Sequence, residues 1–125
     1  MGRLDDFLAL PDVSERAEEA TVSERLGPVT IKAMTADQLE DYQNMARGQG
    51  RRASGAKLFL YMVAGQMADP DVSDAGFLAQ SGHATAADFV KAKLLPGEIA
   101  ALAGRIMELS GFDADINQEV DEAKN

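Results

Sequence analysis

The chain has 125 residues, enough for one domain with a real core, and its 46% hydrophobic and 26% charged residues are values of a globular protein. A net charge of -9 opposes free nucleic acid and anionic membranes as partners. The absence of cysteine excludes disulfides, thiol catalysis and thiolate metal sites. No apolar run approaches the roughly 18 residues of a membrane span, and no signal peptide is recognisable. The sequence therefore predicts a soluble protein of the cytoplasm.

The first third of the chain carries two local patterns. Asp5 to Leu10 holds a short apolar patch that ends at Pro11, and we interpret it as a docking segment of about one helical turn. Between Thr21 and Met34, β-branched residues alternate with polar ones around Gly27-Pro28. This alternation predicts a short β-hairpin near residues 21–34.

Helix signals dominate the rest of the chain. The stretch from Ala56 to Ala68, which includes Phe59 and Leu60, is apolar on nearly every side, and this predicts a helix at the centre of the core. Capping residues predict three more helices, which begin at Thr35 (with Gln38, up to about Arg47), at Ser73-Asp74, and at Thr85 (with Asp88).

The last helix has the clearest boundaries. Pro96 is suited to the first helical turn, where its missing N–H costs nothing, and Glu98 adds a negative charge that the helix dipole favours. Gly111 can end the helix in the left-handed conformation. An apolar stripe lies between these limits, formed by Ile99, Leu102, Ala103, Ile106, and Met107 or Leu109.

These patterns predict a mostly α fold, a small single-domain protein of four to five helices with a short N-terminal β-hairpin. We assign residues 1–112 to this domain and residues 113–125 to an acidic C-terminal tail that is loosely held. The tail combines five carboxylates with few apolar residues.

Signals for chemistry are weak. Asp113, Asp115 and Asn117 match the opening of a calcium-binding EF-hand loop, but Gln118 replaces the glycine of the sharp turn and Lys124 replaces the bidentate glutamate. A second acidic stretch that begins at Asp69 fails in the same way. His83 is the one histidine of the sequence and has no motif partners. We therefore predict no catalytic residue, no metal site and no cofactor.

A basic cluster stands out on this acidic chain. Arg47, Arg51, Arg52 and Lys57 supply a third of the positive charge within eleven residues. One interpretation is a solvated loop. The other is an assembly contact with an acidic face of another copy, which predicts a homo-oligomer.

Most of the chain resembles the phage and prophage tail assembly chaperones called XkdN-like. The N-terminal FLALPDVSERAEE, the hairpin-like VSERLGPVTIKAMTADQLEDY, the ADPDVSD stretch and the terminal Lys-Asn pair follow the family pattern. The strongest match is KAKLLPGEIAALAGRIMELSGF, especially Leu94 to Phe112.

The resemblance implies a mostly α, non-enzymatic chaperone that binds and solubilises the tape measure protein during tail morphogenesis and helps to recruit tail tube subunits. In many of these phages a ribosomal frameshift also makes a longer version of the chaperone, and the resemblance implies that this chain is the short product. Two alternatives stay open. One is a structural head-tail connector or tail component that is retained in the particle, and the other is an acidic adaptor or inhibitor of a nucleic-acid-binding protein.

Overall fold

The computed structural model describes residues 2–48 and 55–112. Within these ranges it confirms the mostly α fold with an N-terminal hairpin. Six α-helices are present, because the apolar segment near the N-terminus is itself helical: α1 (Arg3–Leu8), α2 (Ala36–Arg47), α3 (Gly55–Gln66), α4 (Ala75–Ser81), α5 (Ala86–Lys93) and α6 (Pro96–Leu109). They accompany a 3₁₀ turn (Val13–Glu15) and three strands, β1 (Ala17–Ala20), β2 (Val29–Lys32) and β3 (Met67–Asp69).

An N-terminal hairpin forms, but its first strand lies wholly before the predicted residues 21–34, and within that range only β2 is a strand. β1 pairs antiparallel with β2, from Ala17 opposite Lys32 to Ala20 opposite Val29. The sequence Ala-Glu-Glu-Ala has low strand propensity, so local pattern does not reveal it. Tertiary contacts stabilise the strand instead: Ala20 is buried, and Glu18 forms an ion pair with Arg105 of α6 at 3.1 Å.

A third strand was not predicted. α3 ends at Gln66, two residues before the predicted end at Ala68, and Met67 begins β3, which pairs antiparallel with β2. The side chain of Gln66 explains the change of conformation. Its Nε2 donates to the carbonyl oxygens of Lys32 and Ala33, at 3.2 and 2.9 Å, and so ties the end of the helix to the sheet.

The core lies around α3, as the sequence predicts, because α3 packs against α2, α5 and α6. Fully buried side chains come from the sheet and from three helices: Ile31, Met62, Val63, Val90, Leu102 and Ile106. Leu102 and Ile106 confirm part of the predicted stripe on α6.

Side-chain caps begin three helices where the sequence places them. Thr35 Oγ1 accepts from the Gln38 N–H at 3.1 Å, and Thr85 Oγ1 accepts from the Asp88 N–H at 3.1 Å. The Asp74 side chain caps α4 by accepting from the Phe77 N–H. These local hydrogen bonds satisfy N–H groups of the first turn and fix where each helix starts.

α1 covers the first part of the apolar segment of residues 5–10. Each of its residues is exposed, including Leu4 at 81% and Leu8 at 84%. The segment is therefore a helix, but it is not buried against the described part of its own chain. None of the described helices is both long and apolar enough to cross a membrane.

Candidate functional site

An apolar groove of about 590 Å³ opens between α3, α5 and the start of α6. Its α3 side is formed by Gly55, Ala56, Lys57, Phe59, Leu60 and Tyr61. The larger apolar lining residues are Phe59, Leu60, Leu94 and Ile99, the small ones include Ala87 and Ala100, and the charged ones are Lys57, Asp88 and Lys91. A concave apolar surface with a charged rim is the form of site that binds an amphipathic helix.

The junction of α5 and α6 creates the opening. α5 ends at Lys93, and Leu94 and Leu95 are extended, with ψ of 143° and 148°. Pro96 then begins α6, as the sequence predicts. Because the residues that face the space from α5 and α6 include Ala87 and Ala100, the two helices leave the groove unfilled.

A buried carboxylate holds the α6 side of the groove. Glu98, whose side chain is 7% exposed, forms an ion pair with Arg25 and accepts from Ser23 Oγ at 2.7 Å. It also accepts from the Leu95 N–H at 2.8 Å. Arg25 in turn donates to the Lys93 carbonyl at 2.8 Å. The loop between β1 and β2 is thereby fastened to the α5–α6 junction.

The surroundings of Glu98 favour its charged form. The hydrogen bonds from Arg25, Ser23 and the Leu95 backbone lower the pKa of Glu98 to about 2 against the opposing effect of burial. Sequence reasoning assigned Glu98 only to the helix dipole. It missed Ser23 and Arg25 because they lie 75 and 73 residues away in the chain, and no local pattern links them.

The predicted basic cluster is divided by the structure. Arg47 is exposed at the end of α2, and Lys57 lines the groove. Arg51 and Arg52 lie outside the described residues. Beside Lys57 the groove has Lys91, which sequence analysis did not single out. The spacing of Ala87 and Lys91, four residues apart on α5, is the signal that places them on one helix face.

Between residues 2–48 and 55–112, no group of three or more His, Asp or Glu side chains is placed to hold a metal ion. The Asp71 carboxylate accepts instead from the backbone N–H and the hydroxyl of Ser73, at 3.0 and 2.6 Å. His83 packs edge-on against Phe89, with ring centroids 5.7 Å apart. The EF-hand-like stretch that begins at Asp113 lies outside the described residues.

The fold is that of a small, mostly α single-domain protein with an apolar groove between its helices. Residues 4–124 match the sequence profile of the phage XkdN-like tail assembly chaperone family, and the chain therefore belongs to that family. Membership implies a non-enzymatic role in tail assembly, with phage tail proteins as partners.

Among solved structures, the chain is similar to the crystal structure of the protein YqbN, a structural genomics target. The two share 18% sequence identity over 78% of this chain and 87% of that chain, with a TM-score of 0.57. At this identity the likeness shows a common fold. No curated protein matches the chain.

Proposed function

We propose that this protein binds an apolar helical segment of the tape measure protein in the groove between α3, α5 and α6 and keeps that segment soluble. The action takes place in the cytoplasm of the bacterial host during tail assembly and involves no enzymatic step. The observation that carries the proposal is the apolar groove on a member of a tail assembly chaperone family.

The lining of the groove suits a helix with an apolar stripe. Leu60, Leu94 and Ile99 are only partly buried, so their remaining apolar surface faces solvent until a ligand covers it. Covering such surface stabilises a complex by about 25 cal/mol per Å² before the costs of association are subtracted. A single groove therefore gives weak and reversible binding, and a long client would be held by many copies at once.

The rim of the groove adds a preference in charge. Lys57, Lys91 and Asp88 give the rim a net charge of +1, although the whole chain carries -9. An apolar helix that carries acidic residues beside its stripe fits this rim better than a basic one. Tail tube subunits are the second partner that we propose for this protein.

Coexpression tests the proposal directly. The tape measure protein of the same genome is produced with no chaperone, with the wild-type chain, with Ala100→Glu or with Ala101→Glu. Ala100 lines the groove, whereas its neighbour Ala101 is also exposed but does not line it. Both variants replace an exposed alanine of α6 with glutamate. They differ in whether the new charge lies in the groove. Circular dichroism checks that both fold.

We expect the wild-type chain and Ala101→Glu to raise the soluble fraction of the tape measure protein and Ala100→Glu to lose this effect. If the soluble fraction is the same with and without the wild-type chain, the proposed function is wrong. Recovery of the chain in finished particles would then favour the retained structural component. Capture of a nucleic-acid-binding protein instead would favour the adaptor.

A further inference from the structure

The exposed helix α1 has the form of a ligand for an apolar groove. Leu4, Phe7 and Leu8 follow the i, i+3, i+4 spacing that places side chains on one helix face, and they are 81%, 60% and 84% exposed. Leu10, just beyond the helix, is 62% exposed. A helix of six residues is far too short to be stable in water by itself. Burial of this face against another surface would supply the missing stabilisation.

The dimensions of α1 and of the groove agree. At a rise of about 1.5 Å per residue, the six residues of α1 span about 9 Å. The α3 side of the groove covers the seven positions from Gly55 to Tyr61, which span about 10 Å by the same measure. Leu4, Phe7 and Leu8 therefore have a wall of matching length to contact.

Their charges are also complementary. Arg3, Asp5 and Asp6 give α1 a net charge of -1, whereas the groove rim carries +1. The acidic residues of α1 can approach Lys91 while the apolar face enters the groove. Such complementarity orients an association and raises its rate.

The position of α1 in the chain favours a groove on a different molecule. The groove lies at the N-terminal half of α3, whereas the sheet follows the C-terminal end of α3 directly through β3. α1 precedes β1, the strand at the far side of that sheet. Arg16, the residue before β1, accepts a hydrogen bond from the Ala33 N–H at 2.9 Å, and the adjacent Met34 N–H donates to Ser110 Oγ just beyond α6 at 2.9 Å. The segment that carries α1 thus leaves the domain near the C-terminal end of α6, whereas the groove lies at the start of α6.

We propose that α1 of one copy binds in the groove of a second copy. The contact joins two different surfaces, so its repetition links copies head to tail rather than closing a symmetric dimer. If the proposed function holds, the client helix and α1 compete for one groove, and client binding releases the self-association.

Disulfide trapping tests the contact cleanly because the chain contains no cysteine of its own. Leu8→Cys is mixed with Ala100→Cys, one of the two with a C-terminal tag that gives the mixed dimer a distinct mass, and the mixture is oxidised gently. The matched control replaces Ala100→Cys with Ala101→Cys. We expect a mixed disulfide between Leu8→Cys and Ala100→Cys. We expect none between Leu8→Cys and Ala101→Cys. Equal yields for the two positions, or no mixed disulfide, would overturn the inference.

The double variant Leu8→Cys/Ala100→Cys separates contacts between copies from contacts within one. When it is oxidised at concentrations at which the wild type self-associates, linked species of two or more chains support the inference. A monomer with an internal disulfide would show that α1 reaches its own groove, which overturns the contact with a second copy.

Sedimentation and coexpression distinguish this inference from the proposed function. Phe7→Asp should reduce the concentration-dependent rise in sedimentation coefficient, whereas Met45→Asp, at a side chain 50% exposed on α2, should leave it unchanged. Phe7→Asp should still solubilise the tape measure protein, and Ala100→Glu should lose both properties.

Ala100→Glu can also lose only one of the two properties, self-association or solubilisation of the tape measure protein. If this variant lost client solubility without any change in self-association, the proposed function would stand and the inference about α1 would be wrong. If it lost self-association and still solubilised the client, the inference about α1 would stand and the proposed binding of the client in the groove would be wrong.

Discussion

Tyr42 of α2 lies directly against Gly65 of α3, where a Cβ would come within 2.0 Å of the Tyr42 hydroxyl oxygen. That hydroxyl donates to Gln66 Oε1 at 2.6 Å, next to the point where α3 passes into β3. Burial raises the pKa of Tyr42, and the nearby Asp41 adds to the effect, so the phenol remains protonated as a donor. Glycine at position 65 therefore permits the close approach of two helices and a hydrogen bond between them.

Gly65→Ala is expected to destabilise the protein by about 1 to 2 kcal/mol, because displacement of Tyr42 outweighs the gain in helix propensity. Gly104→Ala in α6 is the matched control. A Cβ there meets no atom within 4 Å, so the same substitution should stabilise by about 0.5 to 1 kcal/mol. Urea unfolding of the two variants measures the difference. Stabilisation by Gly65→Ala would contradict the close contact.

Substitutions along α3 should follow burial rather than hydrophobicity. Met62 is 1% exposed, whereas Leu60 is partly buried at the groove. Met62→Ala should cost about 2 to 5 kcal/mol and Leu60→Ala less, since part of its surface already contacts water. Urea melts of both variants check the order. A larger loss for Leu60→Ala would show that the groove is filled in solution.

The contacts of Glu98 predict a specific pH dependence. A carboxyl whose pKa is lowered on folding contributes stability that is present above its ordinary pKa and is lost as pH falls through the folded value. For Glu98 the ordinary value is 4.5 and the folded value about 2, so its contribution is complete above 4.5 and is lost between these limits. Glu98→Gln should be less stable than wild type at pH 7.

The difference in unfolding free energy between wild type and Glu98→Gln should then shrink from pH 4.5 toward pH 2. Denaturant melts at several pH values measure it. Glu24→Gln, at an exposed residue of the same loop, controls for the loss of one carboxyl group. A difference in unfolding free energy that stays constant with pH would show that the lowered pKa of Glu98 does not contribute to stability.

We propose that the basic cluster of Arg47, Arg51, Arg52 and Lys57 is an assembly contact between copies. Arg51→Glu/Arg52→Glu should reduce self-association, and added salt should reduce it in the wild type, because exposed charges are screened beyond roughly 8 to 10 Å at physiological ionic strength. Sedimentation velocity at low and high salt measures both. Identical, salt-independent species for the two proteins would exclude these arginines as a contact.

The acidic tail gives the last prediction. The described fold ends with Gly111, at a φ of 101°, and with the Phe112 N–H, which donates to the Met107 carbonyl at 3.0 Å. A chain truncated after Phe112 should keep its melting temperature, since residues 113–125 combine five carboxylates with few apolar side chains. Thermal unfolding followed by circular dichroism checks it. A cooperative loss of helical signal would show that Ile116 and Val120 belong to the core.

Local signals predicted the parts of the fold that local chemistry determines. The caps at Thr35, Asp74 and Thr85 and the proline start of α6 involve atoms a few residues apart, so the sequence displays them. The apolar character of residues 56–68 placed α3 at the centre for a similar reason, because a helix without a polar face needs neighbours.

The features that sequence analysis missed depend on contacts between distant segments. β1 and β3 are strands because each pairs with β2, and β3 begins where Gln66 meets Lys32 and Ala33. The groove is equally non-local. Its walls come from three helices, and its volume depends on the angle at which Pro96 turns the chain, which residue types alone do not specify.

The edge strand β1 disfavours strand pairing between neighbouring copies of the protein. An open strand edge on many copies held side by side along one client would invite strand pairing from molecule to molecule. This edge has only four residues, and its centre is Glu18-Glu19, so like charges would meet whenever two such edges approached in register. The proposed contacts between copies involve helices instead, whose side-chain contacts separate more readily than a continuous ladder of backbone hydrogen bonds.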